Sequence, residues 1–344
     1  MSRKLARIVM VDDVQPIAGA DRIEVATVGG WKVVIKKGDF KPRDLGVYFE
    51  IDAFLPQGNP AWQFLIDKSP RQFMGLTGHV LKTVTMQKQV SQGLLLTLKV
   101  LEGTSAEHLN LTPGLEVSGA LGIVKYEKPI PECLLGIARG YLPSRVPSTD
   151  QERIQNLALE LALWQAEATA WEITEKLEGE SCTFAYAEGE VHVCSRQLSF
   201  IDSPESDHWR LAHELDIPNK LKALGRELAL QGEMVGHGIE GNHYDFRQGV
   251  RSFFLYDVYD IQEGRYFSSE ERVRLARELN IAHVPVIDAH FVLTATLGMD
   301  ALLEMADGQS ALIAKAREGF VFKALSGKVS FKAISNKYLL KKKD

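Results

Sequence analysis

The sequence predicts an α+β protein of two domains, a small N-terminal β-barrel of OB type followed by a larger mixed domain with antiparallel sheets. Three observations carry that expectation. The length of 344 residues is about twice the ~150 residues of a typical domain. Residues 1–124 alternate short apolar runs with Gly, Pro and Asp turns. Beyond residue 150, stretches of helical period alternate with stretches of period two.

In the first domain, strands are expected over 5–10, 23–28, 31–35, 47–51, 79–84 and 94–100. Gly29-Gly30 between two of these runs signals a tight hairpin, and many short strands in a module of this size favour a closed barrel. Residues 125–150 hold Pro129, Pro131, Pro143 and Pro147 and read as a linker, because proline breaks both helices and strands. The second domain is then 151–344. It should open on an amphipathic helix over 152–165, with Ile154, Leu157, Leu161 and Trp164 on its apolar face and Thr149 or Asp150 as its cap. Cys182, Phe184 and Tyr186 alternate, as do Val191 and Val193 beyond Glu188-Gly189, which predicts a β-hairpin. Helices are expected over 217–230 and 269–279, the latter opened by a capping box of Ser268 and Glu271. Strands are expected over 231–235, 253–258 and 319–323.

The composition, 45% hydrophobic and 25% charged, is that of a globular chain and argues against a disordered or collagenous one. The first residues carry charge without an apolar run, and no later segment nears the ~18 uninterrupted apolar residues of a membrane span. A cytoplasmic protein with no membrane partner is expected. Cys133, Cys182 and Cys194 are odd in number and lack CxxC spacing, so neither a disulfide framework nor a cysteine zinc site is expected. The net charge of −5 hides a polarised distribution: residues 323–344 hold seven lysines against one acid, +6, and the remainder sums to −11. The basic charge is concentrated at the C-terminus.

No GxxxxGK[ST] loop, HExxH helix or GxSxG elbow occurs, and no dinucleotide-binding glycine loop is expected. His208 and His213, or His237 and His243, lack the i, i+4 spacing of a metal pair and read as surface or core residues. KxxG occurs twice. Lys222 to Gly225 lies in the helical stripe Ile217, Leu221, Leu224, Leu228 and reads as a solvated helix lysine. Lys176-Leu177-Glu178-Gly179 instead falls between a strand ending at Glu175 and the hairpin starting at Ser181, where glycine lets backbone approach a bound phosphate. Around it stand, in order, Ser195-Arg196-Gln197, Gly232-Glu233, the aromatic strand 253–258, Glu318-Gly319-Phe320-Val321-Phe322-Lys323 and a basic strand with Lys332.

Taken together, these blocks resemble the motifs of the covalent nucleotidyltransferase superfamily of ATP-dependent polynucleotide ligases and mRNA-capping enzymes, over about residues 150–340. The segment 19–31, GADRIEVATVGGW, resembles the opening of OB modules that bind tRNA or other RNA. An OB module ahead of the catalytic domain is similar to the RNA ligases of the Deinococcus and Naegleria type, the fifth RNA ligase family. The resemblance implies an adenylyltransferase domain and ATP-dependent sealing of a 3′-OH to a 5′-phosphate at nicks in duplexes whose 3′-OH strand ends in RNA. RNA or an RNA/DNA nicked duplex is the implied partner. Lys176 is implied as the nucleophile that takes AMP, with Mg2+ or Mn2+ near Glu178, Glu233 and Glu318. Most relatives have Asp where Glu178 stands.

A free lysine of pKa ~10.4 is protonated at neutral pH, so its amine needs a nearby cation or desolvation to react. Lys332 and Lys323 are implied at the α-phosphate, with Lys337 a weaker second lysine, and Arg153 at the outer phosphates. Arg196 and Ser181 are implied at the ribose, Glu175 at the base amino group and Gly179 beside the nucleotide. One of Phe254 and Tyr256, which alternate along a strand, is expected to stack on adenine. Two other readings stay open here. A GTP-using capping-type guanylyltransferase is disfavoured by the N-terminal OB module; an RNA-binding protein acting through that module alone is disfavoured by the intact Lys176, Glu233 and Glu318.

Overall fold

The computed structural model describes residues 4–126, 136–327 and 329–341; Pro129, Pro131 and Cys133 of the preceding reading lie outside the described residues. The chain divides into two compact units, one of 1–129 with 155–159 and 339–344, the other of 130–154 with 160–338.

The first unit contains β1 (Ala6–Met10), β2 (Asp13–Pro16), β3 (Ile23–Val28), β4 (Trp31–Lys36), β5 (Leu45–Phe49), β6 (Ala53–Pro56), β7 (Arg71–Phe73), β8 (Leu76–Val80), β9 (Thr83–Met86), β10 (Gln89–Gln92), β11 (Leu94–Thr97) and β12 (Val124–Lys125). They pair as β1-β5-β11, β2-β3-β4, β9-β10 and β12-β6-β8-β7, and β4 also packs along β10 and β11. The Gly29-Gly30 hairpin forms, with Val28 opposite Trp31 and Gly29 at φ +59. Alternation along β4 buries Trp31, Val33 and Ile35. The expected strand 79–84 is divided between β8, which ends at Val80 with Leu81 still bonded to the Ala53 carbonyl, and β9, which starts at Thr83, and 94–100 ends at Thr97, where a 3-10 turn buries Val100 and Leu101. Asn156, inside the expected second domain, belongs to this unit. It accepts from Trp31 Nε1 at 2.5 Å and Arg7 at 2.8 Å and donates to buried Glu50 at 2.9 Å, so the carboxylate is satisfied.

The second unit contains β13 (Ala138–Tyr141), β14 (Glu152–Arg153), β15 (Ala170–Lys176), β16 (Glu180–Ala187), β17 (Glu190–Cys194), β18 (Leu198–Phe200), β19 (Leu228–Gly236), β20 (Arg251–Asp260), β21 (Arg265–Tyr266), β22 (Ala282–His283), β23 (Val286–Val292), β24 (Gly319–Ala324) and β25 (Ser330–Ile334). One sheet runs β13-β18-β17-β16-β19-β20-β21, with β22 also on β20; the other runs β14-β25-β24-β15-β23. Pairing is antiparallel except for β14 with β25 and β20 with β22. Helices Asp207–Glu214, Ile217–Leu224 and Ser269–Glu278 bury Trp209, Leu211, Leu221 and Leu275 in one core with Phe184, Val193, Leu230 and Phe253 of the larger sheet.

Two helices differ from expectation. The helix expected over 152–165 starts only at Ala158, because Glu152 and Arg153 pair in parallel with Phe331 and Lys332 of β25 and Ile154–Asn156 is a 3-10 turn. Arg153 is thus a strand residue. The helix expected over 217–230 stops at Leu224, since Gly225 adopts the left-handed C-cap conformation, φ +64, and Leu228 already begins β19. The Ser268–Glu271 capping box forms as expected. Ala138–Tyr141, within the stretch read as a linker, is strand β13.

Candidate active site

β15 and β24 lie side by side with Lys176 opposite Gly319 and Glu172 opposite Lys323, and β25 places Lys332 opposite Val321. Alternate residues share a face, so Glu172, Lys176, Lys323 and Lys332 lie on one side of this sheet. Glu318, just before β24, pairs with Lys176 Nζ at 2.8 Å. Glu233 comes from β19, where it opposes Ser181 and Phe254. Burial alone would lower the Lys176 pKa, but Glu318 and Glu233 outweigh it and hold the ammonium above its ordinary value. Burial pushes Glu233 up to about 8, with Lys176 opposing and Glu318, Glu180 and Glu240 adding to the rise. The acids here exceed what one lysine can neutralise.

Gly179 is needed for close approach. A Cβ there would sit 2.8 Å from Val235 Cγ1 and 2.9 Å from Glu233 Cγ, so the loop after Lys176 lies against β19 only without a side chain. The Glu178 carboxylate lies 3.1 Å from His243 Nδ1, and its amide donates to the Tyr244 hydroxyl at 2.9 Å. Among the described residues, no three His, Cys, Asp or Glu side chains converge as a ready-made metal cage. Any cation here would need water to complete its shell.

The remaining residues form a rim. Lys332 Nζ is 3.6 Å from one oxygen of Asp150, whose other oxygen takes Arg196. Thr149, Ser181 and Tyr256 form a hydroxyl chain at 3.2 and 3.4 Å. Tyr256 is the extra residue of a bulge in the β19–β20 register. It and Phe254 are half-buried against Leu177, Val235, Tyr244 and Val284. Glu175 accepts the Ala311 amide on one oxygen at 2.7 Å; the other is buried with no hydrogen-bond partner among the described residues. Arg153 is buried opposite Lys332.

Lys323 faces the protein: its Nζ bonds Asp257 at 2.7 Å and the Tyr256 carbonyl, and burial lowers its pKa to about 8 against the pull of Asp257. Beneath it, Arg272 pairs with Glu172, lies 3.8 Å from Asp257 and donates to His283 Nε2 at 2.9 Å. The sequence reading does not mark Asp257 or Tyr244 as site residues, and it reads His243 only as a surface or core histidine and Asp150 only as a helix cap. No local signal marks Asp257 or Tyr244. A literal G-x-G-x-x-G does occur at 236–241, but it leads into the 3-10 turn Glu240–Asn242, so it lacks the helix N-terminus of a dinucleotide site.

An amine paired with an acid, with further lysines on the neighbouring strands, is consistent with the chemistry of a nucleotidyltransferase. Comparison with known proteins narrows this. A family model described as RNA ligase matches residues 169–339, and an OB-fold domain model matches residues 5–98. Naegleria gruberi RNA ligase with PPi is 39% identical, with a TM-score of 0.89 and 98% of each chain covered. A mutant of that enzyme with AMP and Mn is 38% identical at a TM-score of 0.90, again with 98% of each chain covered. A further mutant with ATP and Mn is 39% identical at 0.90, covering 99% of this chain and 100% of that one. No curated protein sequence matches significantly. The chain belongs to the RNA ligase family, with an OB-fold domain ahead of the ligase domain. No helix among the described residues is long and apolar enough to cross a membrane.

Proposed function

We propose that this chain is an ATP-dependent RNA ligase that seals a 3′-OH to a 5′-phosphate at nicks in duplexes whose 3′-OH strand ends in RNA. The observation that carries the chemistry is the Lys176–Glu318 pair at 2.8 Å, on the same sheet face as Lys332. The Lys176 amine attacks the α-phosphorus of ATP, forming an N–P bond as the P–O bond to pyrophosphate breaks. AMP then passes to a 5′-phosphate oxygen, and attack by the 3′-OH forms the phosphodiester and releases AMP.

Glu318 and Glu233 keep Lys176 protonated, so they must be drawn off before it reacts. A divalent cation, Mg2+ or Mn2+, held through water by Glu318, Glu233 and Glu178, would supply the positive charge that takes over these acids. Burial first, and neighbouring carboxylates after it, raise the Glu233 pKa, and a nearby cation would favour its ionised form. The N. gruberi enzyme carries Mn beside ATP or AMP in its structures.

Lys332 serves the α-phosphate, with Lys323 braced behind it by Asp257. Arg153 serves the outer phosphates, Arg196 and Ser181 the ribose, and Phe254 or Tyr256 the face of adenine. The buried free oxygen of Glu175 accepts from an exocyclic amine, which adenine has where guanine presents a carbonyl oxygen; this favours ATP over GTP. A sealing assay tests substrate choice: nicks with a ribonucleotide 3′-OH strand should be joined with ATP and all-DNA nicks should not. Equal sealing of both removes the RNA requirement.

A further inference from the structure

We propose that His243 is a positioning residue that fixes the carboxylate of Glu178, an inference resting on the reading of Glu178 as one of the acids that hold the cation's water shell. Glu178 is one methylene longer than Asp, and the extra length lets its carboxylate reach His243 Nδ1 at 3.1 Å. An Asp there would fall short by ~1.5 Å, one C–C bond.

The His243 loop is built to be rigid. Gly238 and Gly241 turn the chain at φ +85 and +69, and the Asn242 side chain both donates to the Phe246 carbonyl at 2.8 Å and accepts its amide at 3.0 Å. Lys315 Nζ bonds the His243 carbonyl at 3.0 Å and Asp245 at 2.7 Å. Tyr244 next to it accepts the Glu178 amide. Glu178 is therefore gripped at backbone and carboxylate by one pinned loop. The Glu178 and His243 side chains are only 10% and 17% exposed, so water competes little for their contact. A longer acid has more rotamers, and the His243 contact selects one of them.

The test is a two-by-two set of full-length variants, His243→Ala with and without Glu178→Asp, plus His243→Asn, whose amide nitrogen can replace Nδ1. Mn2+ binding is read by electron paramagnetic resonance and compared with the Mn2+ dependence of single-turnover adenylation. His243→Ala should weaken Mn2+ binding on the order of 10-fold, the scale of lost support behind a metal-binding group; His243→Asn should recover most of it. In the Glu178→Asp background, where the acid no longer reaches, His243→Ala should have almost no further effect. An equal loss in both backgrounds would show that His243 merely holds its loop together, and unchanged Mn2+ binding in His243→Ala would equally overturn the proposal. AMP-adduct formation by the unmodified protein tests the underlying functional reading separately.

Discussion

Lys176 and Glu233 set each other's charge, and this gives the residue scale a measurable signature. With its folded pKa near 8 against an ordinary 4.5, Glu233 binds a proton more tightly in the folded than in the unfolded chain. The unfolded state thus holds fewer protons between these values, so the contribution of Glu233 to stability falls as pH rises from 4.5 to 8 and is gone above that. Glu233→Gln, which mimics the protonated form, should match the parent protein near pH 4.5 in chelator and exceed it above pH 8. The difference should grow by at most about 1.4 kcal/mol per pH unit. Urea midpoints at the two pH values check this, and a variant less stable at both would refute the assignment. The same variant should lose adenylation by orders of magnitude, since metal charge stabilisation is worth several kcal/mol. Lys176, Glu233 and Glu318 were legible because short motifs carry them, at strand ends for Lys176 and Glu318 and within β19 for Glu233. Asp257 and His243 were not, because what matters about each is a partner brought near by pairing between distant strands or by a loop.

At the scale of elements, the glycine after the nucleophile loop is a packing requirement that can be tested alone. Gly179→Ala would push Cβ against Val235 and the stem of Glu233; overpacking of this kind costs about 1–3 kcal/mol. The displaced acid should slow adenylation far more than the modest stability loss accounts for, and an alanine variant with unchanged adenylation would show that β19 can yield. A second element-scale test concerns helix Ser269–Glu278, which reaches β15 and β20 through Arg272, 2% exposed, on Glu172, 1% exposed. Burial alone would raise Glu172, yet Arg272 and Ser269 hold it below its ordinary value. Arg272→Ala strands this carboxylate and should cost about 3–5 kcal/mol in urea unfolding; a loss under about 1 kcal/mol would mean the pair is dispensable. Strands with period two and the capped helix were readable in advance. The helix expected over 152–165 failed because β25 captured Glu152 and Arg153, a tertiary choice that helical spacing cannot foresee.

At the scale of the whole molecule, the expected serial order of two modules is only partly what folds, because 155–159 and 339–344 belong to the first unit. Strand β13, within the proline-dense stretch, pairs with β18 of the second unit. If the OB-fold domain at 5–98 grips nucleic acid through its phosphates, binding should show the salt dependence of phosphate contacts despite the net charge of −5. Sealing of limiting nicked duplex by pre-adenylated protein should fall at least ~10-fold between roughly 50 and 200 mM salt, while adduct formation with ATP changes little. Parallel losses would argue that salt acts on the nucleotide site instead. The central claim is that Lys176 is the nucleophile, and its most direct measurement is intact mass after incubation with ATP and Mn2+. The parent protein and Lys222→Ala should each gain one AMP, stable to base and labile to acid, while Lys176→Ala gains none. An AMP adduct that persists in Lys176→Ala, or forms with GTP in place of ATP, would contradict the account.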